Sequence, residues 1–343
     1  MKKFLSIIFA ILLTISCVAA VGCNTNDGAD EPLKMGLGIY TAYESFSNAD
    51  GETNGSANVV TTAAVILLDK ENKIVKCAVD TIDCGVSYTS EGVGVVAEKY
   101  QTKAEKGMDY GMSKYGADLN NDGVVKEWFE QADAFCSVAE GKTLDEVKAL
   151  VVNGYAGNNE IISAGCTIGV ADFVKAFENA FANAIETNAT KNDKLSLGFV
   201  ANQEKKTDAS DEVNGHCEVV TNVCASAVDA NGKVSAIKID TAFAEFEWTA
   251  EGVIVTDKTD ILFTKRKLGY EYGMSKYGAD LNNDGVVKEW FEQIDVLEAA
   301  CIGKNADEIT ALVTNGNGVD SLQTAGCTMA ISDIVEAVLK TVK

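Results

Sequence analysis

Two short stretches of this chain, each present twice, carry side chains whose kinds and spacing suit ligand binding. The first is Asp118-Leu119-Asn120-Asn121-Asp122-Gly123-Val124, repeated at Asp280 to Val286. Asp118, Asn120 and Asp122 set oxygens at alternate positions, Gly123 makes the tight turn, and the Val124 carbonyl follows; Asp280, Asn282, Asp284 and Val286 do the same in the second copy. Hard oxygen ligands in this order form the front half of a calcium loop. The back half departs from it, because the twelfth position is Phe129 or Phe291, with Glu127 and Glu130 two before and one after it in the first copy. Without an acid in register the expected calcium dissociation constant is of order 10⁻⁴–10⁻³ M. The same residues also read as an Asx-rich turn whose aspartate caps the helix that follows.

The second stretch is Gly165-Cys166-Thr167, answered by Gly326-Cys327-Thr328, each leading into an apolar run. If that run is a helix, its free N–H groups and dipole suit a phosphate. A plain turn with threonine as the cap is the other reading. Other chemistry lacks its parts. There is no Cys-x-x-Cys and a single histidine, His216, so zinc, haem-attachment and Cys-His catalytic sites have neither ligands nor partners. No catalytic constellation stands out, and an enzyme is not expected.

The elements that must position these stretches come as a duplication. Tyr110 to Gln131 and Tyr272 to Gln293 are the same 22 residues. Outward the likeness drifts: Leu37-Gly38 answers Leu197-Gly198, and Val79-Asp80-Thr81 answers Ile239-Asp240-Thr241. The repeats span residues 35–190 and 195–343, each of ordinary domain size, with Asn188 to Asp193 as the expected linker. In each, the first half reads as strands, with a hairpin of Val59 to Leu68 and Ile74 to Val79 and further short strands opening at Glu91-Gly92-Val93 and Glu251-Gly252-Val253. The second half reads as three helices. Val125, Trp128, Phe129, Ala132, Phe135 and Cys136 share one face, Thr143-Leu144-Asp145-Glu146 opens a second helix with a capping box, and Phe173, Val174, Phe177, Phe181 and Ile185 mark a third. Cys136 and its neighbour in kind Cys301 are expected as buried thiols. The fold class is α+β: two tandem copies of an antiparallel sheet packed with about three helices.

At the N-terminus, Lys2 and Lys3 precede an apolar run from Phe4 through Ala20 that ends at Ala20-Val21-Gly22-Cys23. This reads as a secretory signal over residues 1–22 whose end resembles a bacterial lipobox, with Cys23 the expected lipidated residue and residues 23–34 a tether; Cys17 is a weaker competitor, and a plain secretory signal beside a coincidental cysteine is the other reading. The chain is then expected at the extracytoplasmic face of a bacterial membrane, held by a lipid anchor. Formal net charge is −22, two units more negative without Lys2 and Lys3, and Arg266 is the one arginine. Such a surface repels nucleic acid and favours cations, and the same charge also reads as a provision for solubility alone. Eight cysteines follow Cys23, yet only Cys166 and Cys327 stand at equivalent places, which weakens a disulfide framework.

The order of parts invites a comparison. Gly38-Ile39-Tyr40 near the repeat start, Lys73-Ile74-Val75 at a strand turn, and Gly-x-Thr before the closing helix together resemble the FMN-binding domain of bacterial membrane-associated redox proteins and lipoproteins. The resemblance implies an α+β fold, FMN held at the Gly-Cys-Thr turn and electron transfer with a redox partner outside the cytoplasm. In that family some members attach flavin covalently through the last Thr or Ser of the motif. That position is Gly169 in one copy and Ala330 in the other, so any flavin here would be non-covalent. The competing expectation is a non-redox surface module that binds a small molecule or a protein, with calcium-stiffened loops.

Overall fold

Strand β2 (Gly55–Leu68) shows in its own burial how the chain is layered. Every side chain from Ala63 to Leu68 is buried, although alternate residues point to opposite faces. Ala63, Val65 and Leu67 belong to one apolar core, while Ala64, Ile66 and Leu68 belong to another. A strand with both faces covered needs no polar side, which accounts for the continuous apolar run. The computed structural model describes residues 31–343 except 96–98, 117, 119–122 and 281–284. The signal segment, Cys23 and residues 24–30 of the tether lie outside the described residues.

In repeat 1, β1 (Lys34–Ser47), β2 and β3 (Ile74–Tyr88) form an antiparallel meander, extended by β4 (Gly94–Val95) beside β3 and by β7 (Ile185–Glu186) beside β1. Between these edges come α1 (Lys103–Lys106), α2 (Met112–Tyr115), α3 (Trp128–Ala139), α4 (Leu144–Lys148), the small ribbon β5 (Val151–Val152) and β6 (Ala156–Gly157), α5 (Asn159–Ser163) and α6 (Ala171–Ala182). Repeat 2 follows the same order with β8 (Lys194–Thr207), β9 (Gly215–Val228) and β10 (Val234–Trp248), then α7 (Lys265–Leu268), α8 (Met274–Tyr277), α9 (Trp290–Cys301), α10 (Ala306–Thr310), β11 (Val313–Thr314), β12 (Asn317–Gly318), α11 (Asp320–Thr324) and α12 (Ser332–Val342). The architecture is the expected α+β fold of antiparallel sheets and helices. Among the described residues no helix is long and apolar enough to cross a membrane.

Helices α3 and α6 cover one face of the first sheet, and α9 and α12 one face of the second. Gly38 explains the contact of α6 with β1: a Cβ there would lie 1.9 Å from the Ala176 carbonyl oxygen, and at Gly198 the Ala337 carbonyl oxygen is 2.2 Å away. The Leu-Gly signature is thus a place where helix and strand backbones touch. The other faces of the two sheets meet each other in one shared core, with Met35, Val65 and Ile82 from one repeat and Phe199, Val223 and Phe246 from the other. Pro32–Lys343 accordingly hold together as one compact unit of four layers, helix, sheet, sheet, helix.

The contacts across this seam are reciprocal. Ala49 N–H donates to the Gly252 carbonyl at 2.9 Å, and Ala209 N–H to the Gly92 carbonyl at 2.9 Å. Gly94 N–H donates to Asp208 Oδ1 at 2.9 Å, and Ile254 N–H to Asn48 Oδ1 at 3.1 Å. Tyr43 OH donates to the Glu245 carbonyl at 2.7 Å, and Gln203 Nε2 to the Gly85 carbonyl at 3.1 Å. In each pair the residues hold equivalent places in the two repeats. Tyr88 and Trp248, themselves equivalent, stack on one another with centroids 5.1 Å apart and planes 7° from parallel. This is the pattern of a two-fold, isologous interface written within one chain.

Some local expectations shift. Residues 188–193 are no slack linker: Ala189 is buried, its carbonyl accepts the Leu33 N–H at 2.9 Å, and the Asp193 carbonyl accepts Lys76 Nζ at 2.7 Å. Residues 91–93 and 251–253 form turns, with Gly92 and Gly252 at φ 72° and 71°, followed by β4 in repeat 1 and by an isolated Trp248–Ile254 bridge in repeat 2. Helix α6 stops at Ala182, and Ile185 pairs with Met35 as an exposed edge residue. Asn183 at the C-cap breaks the helix before Ile185 can extend its apolar face.

Candidate functional site

The duplicated segment folds as a short helix, a loop and the start of a long helix, closed at its base by a buried carboxylate. Glu127 is 0% exposed and turns back onto the start of α2. Its oxygens accept Met112 N–H at 2.9 Å and Ser113 N–H at 3.0 Å, together with the Ser113 hydroxyl. Glu289 accepts Met274 N–H and Ser275 N–H, each at 2.7 Å. Burial alone pushes the Glu127 carboxyl up, but the Ser113 hydroxyl and amide, with the Met112 and Trp128 amides, outweigh it and hold the group below its ordinary pKa. Glu130 is also committed, accepting the Glu127 N–H at 2.8 Å, and Glu292 accepts that of Glu289 at 2.8 Å.

This decides what the loop can offer a cation. The two acids nearest the vacant twelfth position are both spent on backbone amides, so they supply no bidentate ligand. Asp118 Oδ2 accepts the Gly123 N–H at 2.9 Å, and Asp280 Oδ2 that of Gly285 at 2.9 Å, closing both loops alike. Val124 and Val286 are exposed beside them. Asn120, Asp122, Asn282 and Asp284 lie outside the described residues. Among the described residues no three His, Cys, Asp or Glu side chains gather as a metal site. At the loop entrance Tyr115 and Tyr277 are 79% and 78% exposed, each with the preceding lysine ammonium 5.0 and 4.8 Å from its ring centroid.

The Gly-Cys-Thr turn is organised from within. Gln131 Oε1 accepts Thr167 N–H at 2.7 Å and Ile168 N–H at 3.2 Å, while Gln293 Oε1 accepts Thr328 N–H at 2.8 Å and Met329 N–H at 3.1 Å. The Cys166 and Gly165 amides are bonded to the Ile161 and Ile162 carbonyls. Gly165 and Gly326 sit at φ 93° and 98°, a left-handed conformation that ends α5 and α11 and favours glycine. Lys126 Nζ and Lys288 Nζ reach the Ala164 and Ala325 carbonyls at 3.0 and 2.6 Å. Cys166 and Cys327 are fully buried. A Cβ at Gly169 would lie 2.2 Å from the Tyr155 ring, so this ring covers the position that carries flavin in some members of the resembled family. As arranged, the turn does not fit an FMN phosphate: a glutamine oxygen holds the amides that the phosphate would need.

Glu127, Gln131 and their counterparts are the organising residues that spacing alone does not reveal. Both lie inside the invariant segment, and that identity is the one signal pointing to them. Compared with family models, with curated proteins and with solved structures, the chain finds no match.

Proposed function

We propose that this chain is a lipid-anchored extracytoplasmic binding protein without a redox role, whose two identical loops are ordered by calcium and present a recognition surface. One observation supports this above all. Between the repeats several buried helix positions beyond the duplicated segment have changed, while the buried Glu127, Trp128 and Gln131 and the exposed residues beside the loop recur. Ala132, Phe135 and Cys136 become Ile294, Leu297 and Glu298 on the equivalent helix, yet the exposed Tyr115 and Val124 recur as Tyr277 and Val286. Fold maintenance alone constrains the interior most and the surface least. An invariant exposed loop on a diverged scaffold is what binding requires. The strongly acidic composition suits cationic partners.

A calcium titration of the chain from Asn24 onward, followed by thermal unfolding, tests the reading. At 10 mM calcium and a dissociation constant near 1 mM, each loop adds about 1.4 kcal/mol, and the melting temperature rises by a few degrees. The double substitution Asp118→Asn with Asp280→Asn removes the rise. A flat titration, or a flavin absorbance band in protein given FMN, sinks the proposal.

A further inference from the structure

In repeat 1 the seam between β3 and α3 is lined by two thiols. Cys77 Sγ donates to the Cys136 carbonyl oxygen at 3.5 Å, which sets the two residues against one another across the seam. Both are buried, at 9% and 7% exposure. Their equivalents in repeat 2 are Ile237 and Glu298. There the same seam is bridged by charge: Glu298 Oε1 accepts Ile239 N–H at 2.6 Å and Arg266 Nη2 at 3.0 Å, and Lys238 Nζ stands 3.7 Å from Glu298 Oε2. Arg266 has Ala104 as its counterpart, so repeat 1 lacks both partners of that ion pair. The seam is therefore tied in both copies, by ions in one and by sulfur in the other.

We propose that Cys77 and Cys136 form a disulfide that staples α3 to β3 beneath the first loop, made by exchange with a disulfide oxidant while the exported chain folds. In the exchange, one thiolate attacks the oxidant's sulfur and releases one half of it as a thiol. The second thiolate then attacks the mixed disulfide and releases the other half. Two electrons pass to the oxidant, and the two thiol protons end on its released thiols. The neighbouring Cys136 thiol, and after it burial, raise the Cys77 thiol well above its ordinary pKa, so the closed seam reacts slowly and the bond forms before closure. The inference takes its compartment from the export reading, but its chemistry is testable without a cell.

The chain from Asn24 onward is unfolded, refolded in a buffer of reduced and oxidised glutathione, and alkylated under denaturing conditions. Two of the eight described thiols should escape alkylation, peptide mapping should join the peptides containing Cys77 and Cys136, and reduction should lower the melting temperature by several degrees. Cys77→Ser should abolish the cross-link, and Cys224→Ser should leave it. Full alkylation of all eight, or a cross-link between any other pair with Cys77 and Cys136 still free, overturns the assignment. If the bond forms in glutathione but protein isolated from its own cells carries both thiols reduced, the staple stands and the export reading fails.

Discussion

Asp80 and Glu127 are carboxylates pulled in opposite directions by their surroundings. At Asp80, burial dominates over hydrogen bonds from Thr102, Thr81 and Ala104 and pushes the pKa up to about 6. An acid whose pKa is higher in the folded state favours folding most when protonated. The Asp80 contribution is therefore complete below about pH 4 and is lost as pH rises through 6. Asp80→Asn keeps an acceptor for the Thr81 and Ala104 amides, so the variant's melting temperature should gain on the parent between pH 4 and pH 7. A constant difference across that range would show that Asp80 carries no such burden. Glu127 has the reverse sign: its depressed pKa gives stability above the ordinary carboxylate range that is lost as the solution is acidified.

At the scale of elements, the Arg266 and Glu298 pair ties α7 to α9, a link for which the equivalent α1 and α3 have Ala104 and Cys136 instead. Arg266→Ala leaves the buried Glu298 carboxylate with the Ile239 N–H and the more distant Lys238 and should cost about 3 kcal/mol. Adding Glu298→Cys recreates the Ala104 and Cys136 combination of repeat 1, and the double variant should lose less than the sum of the singles, measured by denaturant unfolding. Simple additivity would mean that the two substitutions are independent. Much of this level is legible in the sequence. Trp128 and Phe135 mark α3 by their spacing, Thr143 and Glu146 form the capping box of α4, and the apolar run of β2 marks a central strand. What spacing does not carry is which body covers each face of that strand, since a helix and a second sheet ask for the same apolar residues. It is silent for the same reason on Glu127, an acid beside a loop of acids, whose turn toward the Met112 and Ser113 amides exists only once α2 and α3 are packed.

For the whole molecule, the reciprocal seam implies that the repeats need one another more than they need the chain joining them. A protease site inserted between the exposed Lys191 and Asn192 should give, after cutting, two fragments that still elute as a single species in native buffer. Separation of the fragments on a sizing column would mean that the shared core is weaker than its extent indicates. The stacked pair across it has a further consequence. In a homodimer, any substitution at a self-facing position arrives on both sides at once, so a tyrosine could meet only a tyrosine. Joining the halves in one chain lifts that rule: Tyr88 can face Trp248, and only Trp248 sends its indole N–H to the Gly92 carbonyl, at 2.8 Å. Symmetry here is inherited rather than enforced, and each side is at liberty to specialise.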